Sequence, residues 1–262
     1  MSDQTERTAA KADKGRRAFL GAAAGAAAMT VAPGVVLHSV AQTNPRAEAV
    51  SDKVRWGMLI DTNKCAADCN ACVTACDKEN GQDQLVMPEG QDPVKHQQQK
   101  PSWIRKVQLK DNLSGRVTNL PMLCQHCEFP PCEDVCPTGA SFRRADGIVM
   151  VDRHICIGCR YCMMACPYHA RSFIHQDVTG QTTLNPRGKG CVESCNFCAV
   201  RLDNGGTTTA CQDACNRDGH QAIVFGDLND PDSPVSKALK EQSSRQVRAD
   251  LQLNTGVRYS GV

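Results

Sequence analysis

Apolar positions along this chain fall in short bursts separated by polar, glycine- and proline-marked stretches, a pattern of brief strands and loops rather than long amphipathic helices. Val54–Ile60 is a strand candidate that runs into Asp61. Trp103–Leu109 alternates enough for another. Asp111-Asn112-Leu113-Ser114-Gly115 is a turn and Arg116-Val117-Thr118 begins a return, so a hairpin is expected there. Thr138–Phe142, the Asp146-Gly147 turn and Ile148–Asp152 read as strand, tight turn, strand. Tyr168–Ile174 and Gly219–Phe225 are further strand candidates. Gln82–Lys100 is polar and broken by proline, and reads as loop. A short helix is expected at Pro234–Gln242, with an extended tail from Leu251 to Val262. The longest apolar stretch, Ala18 to about Leu37, is rich in Ala and Gly and interrupted at Pro33-Gly34.

Composition changes this picture in one respect. Aromatic residues make up only 4% of the 262 residues, too few for a core of large side chains, whereas there are 17 cysteines. The expected fold class is α+β, loop-rich, and held by whatever the cysteines bind. The net charge of +2 favours no polyanionic partner, and no basic helix or basic patch interleaved with aromatics appears, so a nucleic-acid role is set aside.

Sixteen of the cysteines fall into four runs. Cys156-x2-Cys159-x2-Cys162-x3-Cys166-Pro167 has the bacterial ferredoxin spacing for a [4Fe–4S] cluster, in which the fourth cysteine serves a second cluster. It therefore demands a partner, and Cys124-x2-Cys127-x4-Cys132-x3-Cys136-Pro137 supplies one. An outer pair surrounds these: Cys65-x3-Cys69-x2-Cys72-x3-Cys76, with one extra residue in its first gap, and Cys195-x2-Cys198-x12-Cys211-x3-Cys215, followed by Asn216 where the pattern would have proline. The crossing rule assigns Cys124, Cys127 and Cys132 with Cys166, and Cys156, Cys159 and Cys162 with Cys136. For the outer pair it assigns Cys65, Cys69 and Cys72 with Cys215, and Cys195, Cys198 and Cys211 with Cys76. Cys191 is left over, either as a free buried thiol or as a substitute for a ligand such as Cys211. Four [4Fe–4S] clusters are thus expected. Disulfides suit neither the odd count nor the tight spacing, and thiolate zinc sites, which also use C-x2-C pairs, are the competing metal reading.

Side chains near the runs carry secondary expectations. Arg160 lies within a cluster loop, and Arg143, Arg144 and Arg171 flank the central pair. They are candidates for offsetting cluster charge, or ordinary surface cations. His126 and His169 lie beside runs whose cysteine sets are already complete, so they are expected in a supporting or solvent-facing role. His220 has no local partner.

The N-terminus reads as an address. Arg16-Arg17-Ala18-Phe19-Leu20 is a twin-arginine signal, and Ser39-Val40-Ala41 a small-x-Ala cleavage site; the alternative is an uncleaved anchor. That route carries folded cargo, which suits a protein whose metals must be inserted before export. The expected organisation is a signal over 1–41, the first half of an outer module with a hairpin insertion over 42–120, and a central two-cluster module over 121–174. The second half of the outer module follows over 175–226, and a tail over 227–262. One ferredoxin module is thereby nested within another.

Cys124-Gln-His-Cys127-Glu-Phe-Pro-Pro-Cys132-Glu-Asp-Val-Cys136-Pro-Thr-Gly-Ala140 and Cys156-Ile-Gly-Cys159-Arg-Tyr-Cys162-Met-Met-Ala-Cys166-Pro-Tyr resemble the four-cluster iron–sulfur subunits of the molybdopterin oxidoreductase and membrane-bound hydrogenase superfamily. Trp56-Gly-Met-Leu-Ile60-Asp61, Cys191-Val-Glu-Ser-Cys195, the twin-arginine start and Leu253-Asn-Thr-Gly-Val-Arg-Tyr259 are similar to the periplasmic iron–sulfur subunit of the transmembrane complex associated with dissimilatory sulfite reductase. The resemblance implies a polytopic quinone-interacting membrane subunit and a periplasmic multihaem cytochrome c as partners, and a role in sulfur metabolism. The expected function is relay of single electrons, peripheral to the membrane, with no catalytic site. A polysulfide, tetrathionate or hydrogenase complex is the alternative, and a zinc-organised interaction module the reading from a different class.

Overall fold

The computed structural model describes residues 50–85, 87–181 and 186–262. The twin-arginine signal and its cleavage site lie outside the described residues. The first apolar burst is β1 (Trp56–Asp61), the middle strand of a three-stranded sheet. It pairs antiparallel with β8 (Ile223–Asp227) and parallel with β9 (Val257–Ser260), so that Met58 lies opposite both Phe225 and Val257. Side chains alternate across a strand, and β1 uses both faces. Met58 and Ile60 enter the main core, while Leu59 packs on the other side with Val235 and Ala238. Those two belong to the expected helix, α7 (Pro234–Glu241), which has proline in its first turn and the Ser233 hydroxyl accepting from the Ser236 amide at 3.2 Å.

The segment 227–262 is extended at its end, as its sequence suggests, but it is not a free tail. β9 completes the sheet, and Tyr259 is fully buried. The Tyr259 hydroxyl donates to the Pro121 carbonyl at 3.1 Å and accepts from Gln125 Nε2 at 3.0 Å.

The hairpin forms from β2 (Arg105–Lys110) and β3 (Val117–Met122), with Arg105 opposite Met122 and Lys110 opposite Val117. Its return strand runs four residues beyond Thr118, because Leu120 is buried and holds the register. Two shorter hairpins, β4 (Ser141–Arg143) with β5 (Val149–Val151) and β6 (Ser172–Phe173) with β7 (Val192–Glu193), flank the cysteine loops. The stretch read as loop over 82–100 contains a helix, α2 (Pro93–Gln99), started by the Asp92 carboxylate accepting from the Val94 amide at 2.8 Å. No residue of α2 is buried, so it leaves no apolar periodicity to read.

The remaining helices carry cysteines: α1 (Ala71–Glu79), α3 (Pro131–Asp134), α4 (Tyr161–Ala165), α5 (Ala199–Asp203, just after Cys198) and α6 (Ala210–Arg217). α1 packs on α6, and α3 on α4. The main core is accordingly a cysteine core, with ten buried cysteines interleaved among Met58, Ile60, Trp103, Leu123, Ile148, Phe197, Phe225 and Tyr259.

One glycine is fixed by two constraints at once. Gly158 has φ +70°, and a Cβ there would lie 2.2 Å from the Gly190 carbonyl oxygen. Gly158→Ala is expected to cost more than the roughly 1–2 kcal/mol of a left-handed alanine alone, because backbone must also move. Its thermal midpoint should fall by several degrees, and an unchanged melting curve would contradict this packing.

Candidate metal centres

The helix spacing explains how each run can serve two places. Cys72 and Cys76 sit one turn apart on α1, and Cys211 and Cys215 one turn apart on α6. Packed together, the two helices pair these residues in reverse order, Cys72 with Cys215 and Cys76 with Cys211. Cys65, Cys69, Cys72 and Cys215 line one cavity, together with Pro121, His220 and Ala222. Cys76, Cys195, Cys198 and Cys211 line a second, walled by Met58, Trp103 and Phe197. No proline is needed at Asn216, because α6 continues to Arg217 rather than stopping at Cys215.

The central pair repeats the arrangement with shorter helices. Cys132 lies on α3 with Cys136 just beyond it, and Cys162 on α4 with Cys166 just beyond. Cys136, Cys156, Cys159 and Cys162 line a third cavity. Cys124, Cys127, Cys132 and Cys166 form the fourth group. Burial pushes the Cys124 thiol up to about 12, and the neighbouring Cys132 and Cys166 sulfurs add to it against the opposing charge of Arg171. Cys127 is raised by burial and then by Cys124, Cys132 and Cys166.

Three of the C-x2-C loops share a backbone device. The residue before the second cysteine is left-handed: Gly158, His126 (φ 44°) and Phe197 (φ 51°). The two that are not glycine stack on one another, ring centroids 3.6 Å apart, and so tie the Cys124 loop to the Cys195 loop. His126 is buried, and its Nδ1 accepts from the Val149 amide at 3.0 Å. Burial, then the charge of Arg171, holds its imidazole down at about 3, so it is neutral with its proton on Nε2. That Nε2 is buried without a protein partner. His126 is thus a buried support and not a solvent-facing residue, whereas His169 is exposed. His220, which has no partner in sequence, reaches the wall of the Cys65 cavity.

Donors aim at the sulfurs. The Ser141 amide donates to Cys136 at 3.3 Å and the Ala222 amide to Cys215 at 3.2 Å. Asn80 Nδ2 donates to Cys76 at 3.6 Å, and Arg171 to Cys132 at 3.0 Å. At Cys136 burial pushes the thiol up, but the Ser141 and Thr138 hydrogen bonds outweigh it and hold the thiol below its usual value. The extra residue in the Cys65–Cys69 gap is held by Lys106 of β2, whose ammonium donates to the carbonyls of Ala66 (2.6 Å), Ala67 (3.2 Å) and Cys69. The long cysteine-free insertion thereby pins the irregular loop.

The arginines divide by what they touch. Arg144 is committed to Asp146 and Asp203, at 2.7 and 2.9 Å, and is a structural cation. Arg160 is exposed, with its guanidinium 3.8 Å from the centre of the Phe173 ring, and lines the Cys159 cavity. Arg143 is half-buried. Cys191 is not near Cys211. Its thiol donates to the Arg153 carbonyl at 3.3 Å and lies beside Cys156, and burial followed by that sulfur raises it.

None of the 17 cysteines forms a disulfide. Among the described residues, no three His, Cys, Asp or Glu side chains converge closely enough to hold a single metal ion. Four thiols spread around a cavity, with N–H groups directed at their sulfurs, fit a polynuclear group better than one tetrahedral ion.

Residues 116–227 match the family model described as a 4Fe-4S dicluster domain. The chain is 39% identical to the Hdr-like menaquinol oxidoreductase iron-sulfur subunit 1 of Archaeoglobus fulgidus, over 94% of this chain and 97% of that protein. It is 34% identical to the menaquinone reductase iron-sulfur cluster-binding subunit of Nitratidesulfovibrio vulgaris, over 79% and 89%. It is 35% identical to a tetrathionate reductase subunit of Salmonella typhimurium, over 76% and 68%.

Proposed function

Because the chain belongs to the ferredoxin-type 4Fe-4S iron–sulfur subunits represented by these relatives, we propose that it relays single electrons along four [4Fe–4S] clusters, two modules with one nested in the other. A bound cluster supplies reversible one-electron storage at a potential set by local charge, hydrogen bonds and exposure. The ligands would be the four sets of cysteines that crossing pairs: Cys65, Cys69, Cys72 and Cys215; Cys76, Cys195, Cys198 and Cys211; Cys124, Cys127, Cys132 and Cys166; and Cys136, Cys156, Cys159 and Cys162. The remaining protein holds these thiolates, excludes water from the inner sets and directs N–H groups at their sulfurs.

The observation that carries this reading is the linear adjacency of the sets. Arg171 lies beside Cys162 of one set and Cys132 and Cys124 of the next. Cys124 is in turn a neighbour of Cys195, and Cys211 of Cys72. The two inner sets are wholly buried, and only the two terminal sets contain partly or fully exposed cysteines: Cys65 and Cys69 at one end, and Cys136, Cys156 and Cys159 at the other. Electrons would therefore be exchanged with partners at the ends and pass through the interior.

The ends differ in chemistry. Around Cys159, Ile157 (67% exposed), Tyr161 and Met164 (70%) form an apolar rim, which suits a polytopic quinone-interacting membrane subunit. The Cys65–Cys69 end carries exposed Lys64, Asp68 and Asn70, and suits a polar redox partner such as a multihaem cytochrome c. Among the described residues no helix is long and apolar enough to cross a membrane, so attachment would be through the partner. The Arg16-Arg17 motif supports export of the folded chain to the periplasm, and the family resemblance supports a place in sulfur metabolism. Similarity to a tetrathionate reductase subunit favours, as a second reading, a tetrathionate-type reductase complex, which the resemblance to molybdopterin oxidoreductases would give a molybdenum-containing catalytic subunit.

Affinity purification from detergent extracts separates these. The native chain should bring down a quinone-interacting membrane subunit. The double variant Ile157→Lys, Met164→Lys should lose it at least tenfold while keeping its cluster absorbance. A molybdenum subunit as the main companion would establish the second reading, and undiminished capture by the double variant would refute docking at this rim.

A further inference from the structure

Among the described residues two arginines are buried, and only one of them has a carboxylate partner. Arg187 is fully enclosed and paired with Glu193, and Arg144 is held by Asp146 and Asp203. Arg171 is 5% exposed and has no carboxylate within reach among the described residues. It faces sulfur instead. Nη2 donates to Cys132 at 3.0 Å, and the Cys162 and Cys124 sulfurs also lie beside the guanidinium. Nη1 is buried with no protein partner. A guanidinium does not deprotonate, and leaving a buried charge unpaired costs several kcal/mol. The counter-charge must then come from the sulfurs, and Cys132 and Cys162 belong to different sets.

We propose that Arg171 is the common counter-cation of the two central clusters, donating through its planar fork to both and holding both potentials above those that the thiolates alone would give. Its position follows from the fold. The chain leaves Cys166, which returns to the Cys132 set, and Arg171 lies between buried Ala170 and β6, in the seam where α3 packs on α4. Lysine cannot substitute fully, because one ammonium on a flexible stem lacks the fork that reaches two sulfurs. His126 Nε2, another unpartnered donor beside these sets, is neutral and contributes a dipole without a charge.

The inference rests on the reading that the central sets hold [4Fe–4S], so iron content is measured first, on the full anaerobic protein. Central sites without iron would remove that reading. Loaded sites allow Arg171 to be tested separately, by redox titration followed by EPR in the native chain, Arg171→Gln and Arg171→Lys. In Arg171→Gln, two of the four one-electron steps should shift down together. At fixed ambient potential their reduced-to-oxidised ratios should fall about tenfold or more, about 59 mV per tenfold for one electron. The other two should stay in place. A shift of neither, of one alone, or of all four equally would overturn the proposal. If Arg171→Gln fails to load, Arg171→Lys decides. A downward shift confined to one or both of the central steps supports the shared fork, and both steps at native values would overturn it.

Discussion

Removing iron anaerobically from the folded protein is expected to abolish its cooperative thermal unfolding, not simply to lower the midpoint. The main core is built around buried cysteines, with few large apolar side chains to close over them. Each lined cavity is bordered by four cysteines whose sulfurs have no disulfide to join them. Metal binding at such thiolate sites is itself folding free energy, set against a total stability of only ~5–15 kcal/mol for a typical domain. Losing those bonds at several buried cysteine sets, with Arg171 left without anionic sulfur, removes what holds the cysteine loops together. Differential scanning calorimetry before and after chelation reads this directly. A sharp transition in the iron-free protein near the native midpoint would mean that the fold is held by something other than its clusters.

The second large effect is expected from Cys124→Ser. Cys124 belongs to an inner set, is buried, and neighbours Cys195 across the His126–Phe197 stack. The variant should lose about four iron atoms per chain from that site. With the relay cut between the sets of Cys156 and Cys195, a reductant acting at the Cys159 end should still reduce the first cluster while the two outer clusters stay oxidised on the same timescale. Freeze-quench EPR distinguishes the cases. Equally rapid reduction of the outer clusters in Cys124→Ser would show that electrons do not take this path.

What could be read from sequence and what could not follow from how far each signal reaches. The β1 run, the hairpin over 105–122 and the helix after Ser233 are local patterns, and they form close to where they are expected. The thiol groupings come from spacing alone, because C-x3-C across one helical turn must point its two cysteines at successive positions along the helix, and the packing of α1 on α6 and α3 on α4 gathers the expected four each time. β9 could not be read as a core strand, since its partner β1 lies at the other end of the described chain and no local pattern announces a parallel pairing. α2 has no buried face, leaving only Asp92-Pro93 as a signal. The functions of Lys106, Arg171 and His220 depend on which loop each meets across the fold. Cys191 aligns with the Cys195 run in sequence, yet its thiol lies beside Cys156, because β7 pairs with β6 directly after the central module.

Iron and acid-labile sulfide, quantified together on the anaerobic protein and followed by an EPR-monitored reductive titration, test the central claim most directly. Four sets of four cysteines predict about 16 iron and about 16 sulfide per chain, taken up in four one-electron steps. About eight of each, with two steps, would confine the clusters to the central pair and contradict a four-cluster relay.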